Sequence, residues 1–217
     1  MITYDTDASI YSPTLAVREC IESAFRVARE LLPEIPADIT VEFKDRPEQS
    51  GVGVSGYPRT VGVVVLAWDT EFPDPLAQLS SLRTEVLHQA YHWSQGYTFE
   101  SPTVTAQTAL DIAVYEGAAT AFAREHSTTT PLWSDYDPLA VSTLQSWRNE
   151  LETVPVVLYA STRELWRQWA GPQADPNDSW RTHRVGTWIV DQYMARSGTS
   201  PVDLRHLPPN EILEATA

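Results

Sequence analysis

The chain has 217 residues, 42% of them hydrophobic and 20% charged, so it has enough apolar material for a folded core and is not a disordered protein. Its formal net charge of −14 disfavours nucleic acid and anionic membranes as partners, because an acidic surface repels phosphate groups. With one cysteine, Cys20, the chain can form neither an internal disulfide nor a cysteine-based zinc site.

Four dipeptides predict the starts of helices, because each places a capping residue before a proline at the first helical position. They are Ser12-Pro13, Asp74-Pro75, Ser101-Pro102 and Asp137-Pro138. The first predicted helix ends at about Leu32, because Pro33 and Pro36 follow it.

Strands are predicted between this helix and residue 75. Ile39–Phe43 alternates apolar and polar residues with the period of a half-buried strand. Val61–Ala67 is rich in valine and is the strongest strand signal in the chain. Between them, the glycine-bearing residues 51–56 form a weaker strand candidate, and residues 57–59 (Tyr-Pro-Arg) predict a turn.

From residue 75 onward the patterns are helical. Helices are predicted at about residues 75–95, 102–126, 138–152, 161–170 and 179–197, with a short one near the C-terminus and loops at 127–137 and 171–178. Strands followed by helices predict an α+β fold with a small antiparallel or mixed sheet. We expect one domain over residues 1–217, with a helix-and-sheet part at about 1–72 and a helical part at about 73–217.

The sequence carries no signal of membrane insertion or secretion. Met1–Ser12 is polar and acidic, unlike a signal peptide. The longest apolar run, Val61–Trp68, is far shorter than the roughly 20 residues that span a bilayer. We therefore expect a cytoplasmic protein without membrane contacts.

Two histidines on the predicted helix 75–95 have the spacing of metal ligands. His88 and His92 are four residues apart, so both imidazoles point to one side of a helix and can reach the same ion. The same spacing also occurs by chance among core or surface histidines. The pair alone therefore leaves a metal site and an incidental pair open.

Glu116, on the next predicted helix, is a candidate third ligand. It lies among apolar and small residues, where a buried carboxylate is costly unless it is paired or bound to a metal. Catalytic zinc takes three protein ligands and leaves one position for water. Gly117 and the alanines after it allow a neighbouring helix to approach closely. In the alternative interpretation, Glu116 faces solvent or pairs with an arginine.

Together these residues resemble a known family. His88-Gln-Ala-Tyr-His92 is similar to an HExxH motif, and Glu116 in a Glu-Gly-x-Ala context follows on the next helix, as in the gluzincin metallopeptidases and the small bacterial family of predicted zinc-dependent proteases. The resemblance covers about Val61 to the C-terminus. It implies a zincin-like fold, a Zn²⁺ ion held by His88, His92 and Glu116, and hydrolysis of peptide or protein substrates. It also implies that an extended substrate lies beside an edge strand, for which Val61–Ala67 is the candidate.

One departure from the family falls at its general base. The motif glutamate is replaced by Gln89, whose amide has no useful basicity. We therefore expect a chain that binds zinc but hydrolyses peptides poorly. The glutamine is either native or a nearly isosteric replacement, and the otherwise intact motif favours a replacement.

A second departure lies in residues 182–190, where His183 stands at the position of a family tyrosine. The His183 imidazole, or the neighbouring Arg184, could donate a hydrogen bond to the oxyanion of a tetrahedral intermediate. Alternatively, His183 is a surface residue at a helix start.

Glu85, one turn before His88, is a further candidate, either as a substitute base or as an acceptor for an imidazole N–H. We expect, however, that Glu85 is solvated on the outer face of its helix.

The sequence thus predicts a zinc metallopeptidase that has lost its general base at Gln89. One alternative is a non-catalytic, zinc-binding pseudo-peptidase that binds peptides or a partner protein. Another is a metal-free helical protein in which His88 and His92 have no shared role.

Overall fold

A computed structural model of the chain describes residues 1–5, 12–45, 51–100, 106–127 and 129–216. The described residues form an α+β structure, with a four-stranded mixed sheet near the N-terminus and helices mostly in the C-terminal half. The chain divides into two compact units. One consists of Met1–Val104 and Phe122–Thr129, and the other of Thr105–Ala121 and Thr130–Ala217.

The first unit contains the sheet. Its strands are β1 (Ile2–Asp5), β2 (Ile39–Asp45), β3 (Val54–Thr60) and β4 (Val63–Trp68), in the spatial order β1-β2-β4-β3. The pairs β1–β2 and β2–β4 are parallel, whereas β3 runs antiparallel to β4. The sheet is therefore mixed, with β1 and β3 at its edges.

Helix α1 (Leu15–Leu31) connects β1 to β2 and packs against helix α2 (Pro75–Ser94). It buries apolar residues at helical spacing on one face, namely Val17, Ile21, Ala24, Phe25 and Ala28. Strand β4 lies between two neighbours, and its consecutive residues Val64, Val65 and Leu66 are all buried, so both of its faces are covered and its nearly continuous apolar sequence is explained.

Several sequence predictions in this unit need correction. Residues 57–59 are not a turn, because Pro58 lies within β3, an edge strand where a missing N–H is tolerated. The turn comes at residues 61–62, where Gly62 has a φ of 81°. The cap of α1 is Thr14, whose hydroxyl accepts from the Val17 N–H, and not Ser12. Strand β1 was not predicted.

Helix α3 (Ala109–His126) contributes residues to both units. The Ser101-Pro102 start predicted for it lies outside the described residues. The remaining helices belong to the second unit: α4 (Val141–Thr153), α5 (Val156–Ser161), α6 (Arg163–Ala170), α7 (Arg181–Ser197), α8 (Pro201–Leu204) and α9 (Pro209–Ala215). Helix α7 is central among them, since it packs against α4, α6 and α9.

The second unit also corrects two predictions. Asp137-Pro138 lies in a turn closed by the Leu139 N–H and the Tyr136 carbonyl, and α4 begins only at Val141. Short 3₁₀ helices occupy Leu132–Ser134 and Pro176–Asp178 within the predicted loops. Among the described residues, no helix combines the length and the apolar character that crossing a membrane requires.

The predicted start of α2 is confirmed, which makes a direct test of capping available. The Asp74 carboxylate accepts hydrogen bonds from the Leu76 and Ala77 N–H groups. We predict that Asp74→Ala lowers the free energy of unfolding by about 1 kcal/mol, because two amide donors lose their acceptor. Ser12→Ala is the control and should change it by less than about 0.5 kcal/mol. Equal effects in urea denaturation would contradict the assignment.

Candidate metal centre

Helix α2 carries a continuous buried stretch that includes several polar residues. All ten positions from Thr84 to Trp93 are buried, among them Glu85, His88, Gln89 and His92. Burying a polar side chain without a partner is costly, so each of these groups requires a hydrogen bond, an ion pair or a bound ligand.

Part of this requirement is met by the edge strand β3. Its carbonyl groups at Gly56 and Thr60 accept from Gln89 Nε2 at 3.2 Å and from Trp93 Nε1 at 3.0 Å. The Pro58 carbonyl accepts from the Phe99 N–H at 2.8 Å. These alternate carbonyls are thus engaged by groups outside the sheet. The prediction that Val61–Ala67 is the edge strand is wrong, because β4 is paired on both sides.

His88 and His92 meet on α2 as their spacing predicts. Their Nε2 atoms lie 3.0 Å apart, and both side chains are buried. On the other side of its ring, His92 Nδ1 is 3.3 Å from Gln95 Oε1. An Nδ1–H donated to this amide oxygen leaves His92 Nε2 unprotonated, which is the tautomer that a metal ligand needs.

Glu85 and Gln89 form a second pair on the same helix. Gln89 Nε2 donates to Glu85 Oε1 at 2.7 Å as well as to the Gly56 carbonyl, so both amide hydrogens are used. Only 4% of Glu85 is exposed, so the expected solvated position is wrong. Both partners of the Gln89 side chain are hydrogen-bond acceptors, so they match an amide better than a carboxylate.

In the second unit, Glu116 of α3 and His183 of α7 are close. Glu116 Oε2 lies 3.4 Å from His183 Nε2, and both side chains are largely buried. A close crossing of the two helices positions this pair. A Cβ atom at Gly186 would overlap the Ala113 carbonyl oxygen, and one at Gly117 would overlap the Gly186 backbone. The close helix approach predicted at Gly117 is confirmed.

The described residues include one group of metal-ligating type, His88, His92 and Glu116, which could hold a metal ion. The two histidines are buried and Glu116 is partly exposed. These are the three residues that the sequence predicts as ligands. Their donor set of two imidazoles and a carboxylate suits zinc.

Other candidates have evident structural partners. Arg184 donates to the carbonyl groups of Pro176 and Asn177, and its burial lowers the pKa of the guanidinium while Asp135 opposes the shift. Burial also raises the pKa of the Cys20 thiol, which disfavours the reactive thiolate.

Comparison with known proteins leaves the family open. Neither a scan against models of protein families nor a search of functionally curated proteins finds a match to this chain. The resemblance to gluzincins therefore depends on the motif residues alone.

The close contact of α3 and α7 at Gly117 and Gly186 can be tested by adding one methyl group, as a glycine-to-alanine substitution does. Replacing glycine by alanine inside a helix ordinarily stabilises a protein by up to about 1 kcal/mol. At Gly186 we predict the opposite sign, a loss of at least about 2 kcal/mol, because the new Cβ atom overlaps the Ala113 carbonyl. Thermal unfolding of Gly186→Ala measures this. A variant as stable as the original chain would contradict the crossing.

Proposed function

We propose that His88, His92 and Glu116 bind one zinc ion and that the chain is a metallopeptidase-type protein acting on peptides or unfolded protein segments. The observation that carries the proposal is the buried His88–His92 pair. Two imidazole nitrogens bound to one tetrahedral zinc ion lie about 3.3 Å apart. The Nε2 separation of 3.0 Å is close to that value, so the pair needs little rearrangement to chelate an ion.

Helix continuity supports the assignment of Glu116. The C-terminal end of α3 packs against α2, with the rings of Phe122 and Tyr91 5.1 Å apart. Arg83 also donates to the carbonyl group of His126. Glu116 lies less than two turns before Phe122 on the same helix. It therefore belongs to the stretch of α3 immediately N-terminal to this contact.

The side chains around the proposed ligands have separable tasks. A bound zinc ion would supply Lewis-acid polarisation of a carbonyl group and would make water more acidic. His183, whose Nε2 atom lies 3.4 Å from Glu116 Oε2, would hold that carboxylate in place or donate to a developing oxyanion. Gln89 can orient a water molecule but cannot take its proton, so hydrolysis that depended on residue 89 alone would be slow.

A second candidate function is a zinc-binding pseudo-peptidase that captures peptides or a partner protein without cleaving them. The Gln89 amide favours it, because this neutral group is fully used as a donor where the family pattern has a base. Metal content does not separate the two candidates. Hydrolysis of a peptide library by fully zinc-loaded protein does.

The metal site itself is tested by elemental analysis of protein purified without added metal. We predict close to one zinc ion per chain, with affinity that falls as the solution is made more acidic, because imidazoles must be deprotonated to act as ligands. Glu116→Ala should weaken zinc binding about 10-fold or more through the loss of one ligand.

His126→Ala is the matched control, because His126 lies on the same helix as Glu116 and is not among the proposed ligands. It should retain the original zinc content. A folded chain that carries no zinc and does not take up added zinc would contradict the proposed site.

A further inference from the structure

The Glu85–Gln89 pair contains a buried hydrogen-bond acceptor whose partner is missing among the described residues. Gln89 is 5% exposed, and its Oε1 atom is buried without a hydrogen-bond partner among the described residues. Its Nε2 group is fixed from two directions, by Glu85 and by the Gly56 carbonyl. A buried acceptor of this kind marks a place where a donor such as water is expected.

The Glu85 carboxylate lies against β3 at a position that only a small residue permits. A Cβ atom at residue 56 would lie 3.2 Å from Glu85 Oε1 and closer still to Leu66 and the Val65 carbonyl. Gly56 therefore leaves room for the carboxylate. On the helix, Glu85 precedes His88 by three residues, so the two side chains project from adjacent turns of one side of α2.

We propose that Glu85 is the proton acceptor of this site and that Gln89 is its positioning residue. This proposal rests on the proposed peptidase function, and it replaces the missing carboxylate at residue 89 with one from the preceding turn. Gln89 Nε2 holds Glu85 Oε1, while Gln89 Oε1 accepts an O–H of the attacking water. The amide thereby places water and carboxylate side by side.

Hydrolysis of the peptide bond by this route requires only the water molecule and the Glu85 carboxylate. The water oxygen forms a bond to the carbonyl carbon of the peptide as one of its protons passes to the Glu85 carboxylate. The proton then passes from Glu85 to the leaving nitrogen as the C–N bond breaks. The second proton of the water leaves with the new carboxyl group, and Glu85 is again a carboxylate.

The same geometry predicts that a carboxylate at residue 89 is poorly tolerated while Glu85 is present. Gln89→Glu would place two carboxylates at a separation of about 2.7 Å and would face a third acceptor, the Gly56 carbonyl. The exchange Glu85→Gln/Gln89→Glu restores one carboxylate and one amide in reversed positions. Comparing this double exchange with the two single variants separates the loss of a carboxylate from its change of position.

The experiment compares the original chain, Glu85→Gln, Gln89→Glu and the double exchange, each checked for zinc content and thermal unfolding. Glu19→Gln, an exposed position on α1, is the control. In a peptide library, Glu85→Gln should lower kcat about 10²- to 10⁴-fold with little change in KM or zinc content. Gln89→Glu should unfold at a lower temperature, and the double exchange should recover both stability and part of the activity.

Each other outcome identifies what fails. If Glu85→Gln cleaves as fast as the original chain, the role of Glu85 is overturned and the peptidase function stands. If the zinc-loaded original chain cleaves no peptide but the double exchange does, the proton acceptor belongs at residue 89. The proposed role of Glu85 is then also overturned. If none of the zinc-loaded, folded proteins cleaves any peptide, the proposed peptidase function is wrong, and the proposed role of Glu85 is wrong with it.

Discussion

The constraint on which the account depends is the burial of polar side chains along helix α2. A helix that buries Glu85, His88, Gln89 and His92 loses stability for each polar group that lacks a partner, and the partners that are present connect the helix to its surroundings. Gln78 shows the same principle at the start of the helix, where its amide donates to the Gly53 and Asp69 carbonyl groups. The polar side chains thus fasten α2 to β3 and to the end of β4.

This constraint also affects how the sheet edge can be used. An exposed edge strand presents carbonyl groups that an extended peptide can pair with. In β3, the carbonyl groups of Gly56, Pro58 and Thr60 already accept from other parts of the first unit. A peptide that added to this edge over residues 56–60 would have to displace these donors, which disfavours strand addition there.

Local signals predicted much of the fold and the candidate ligands. The Asp74 cap, the apolar run of β4 and the spacing of His88 and His92 each depend on neighbours in sequence. Features set by distant partners were not predicted: β1 is a strand because it pairs with β2, and Glu85 is buried because Gln89 and β3 surround it. Gly117 did signal a long-range contact, since its small size suggested close helix packing.

The central claim is that His88, His92 and Glu116 ligate one metal ion, and X-ray absorption spectroscopy of the zinc-loaded protein tests it most directly. We predict a spectrum with two imidazole ligands, further oxygen ligands and no sulfur, since Cys20 is not part of the group. Glu116→Ala should keep both imidazoles and alter only the oxygen shell. A zinc ion surrounded by oxygen alone, or a spectrum unchanged in His88→Ala/His92→Ala, would contradict the site.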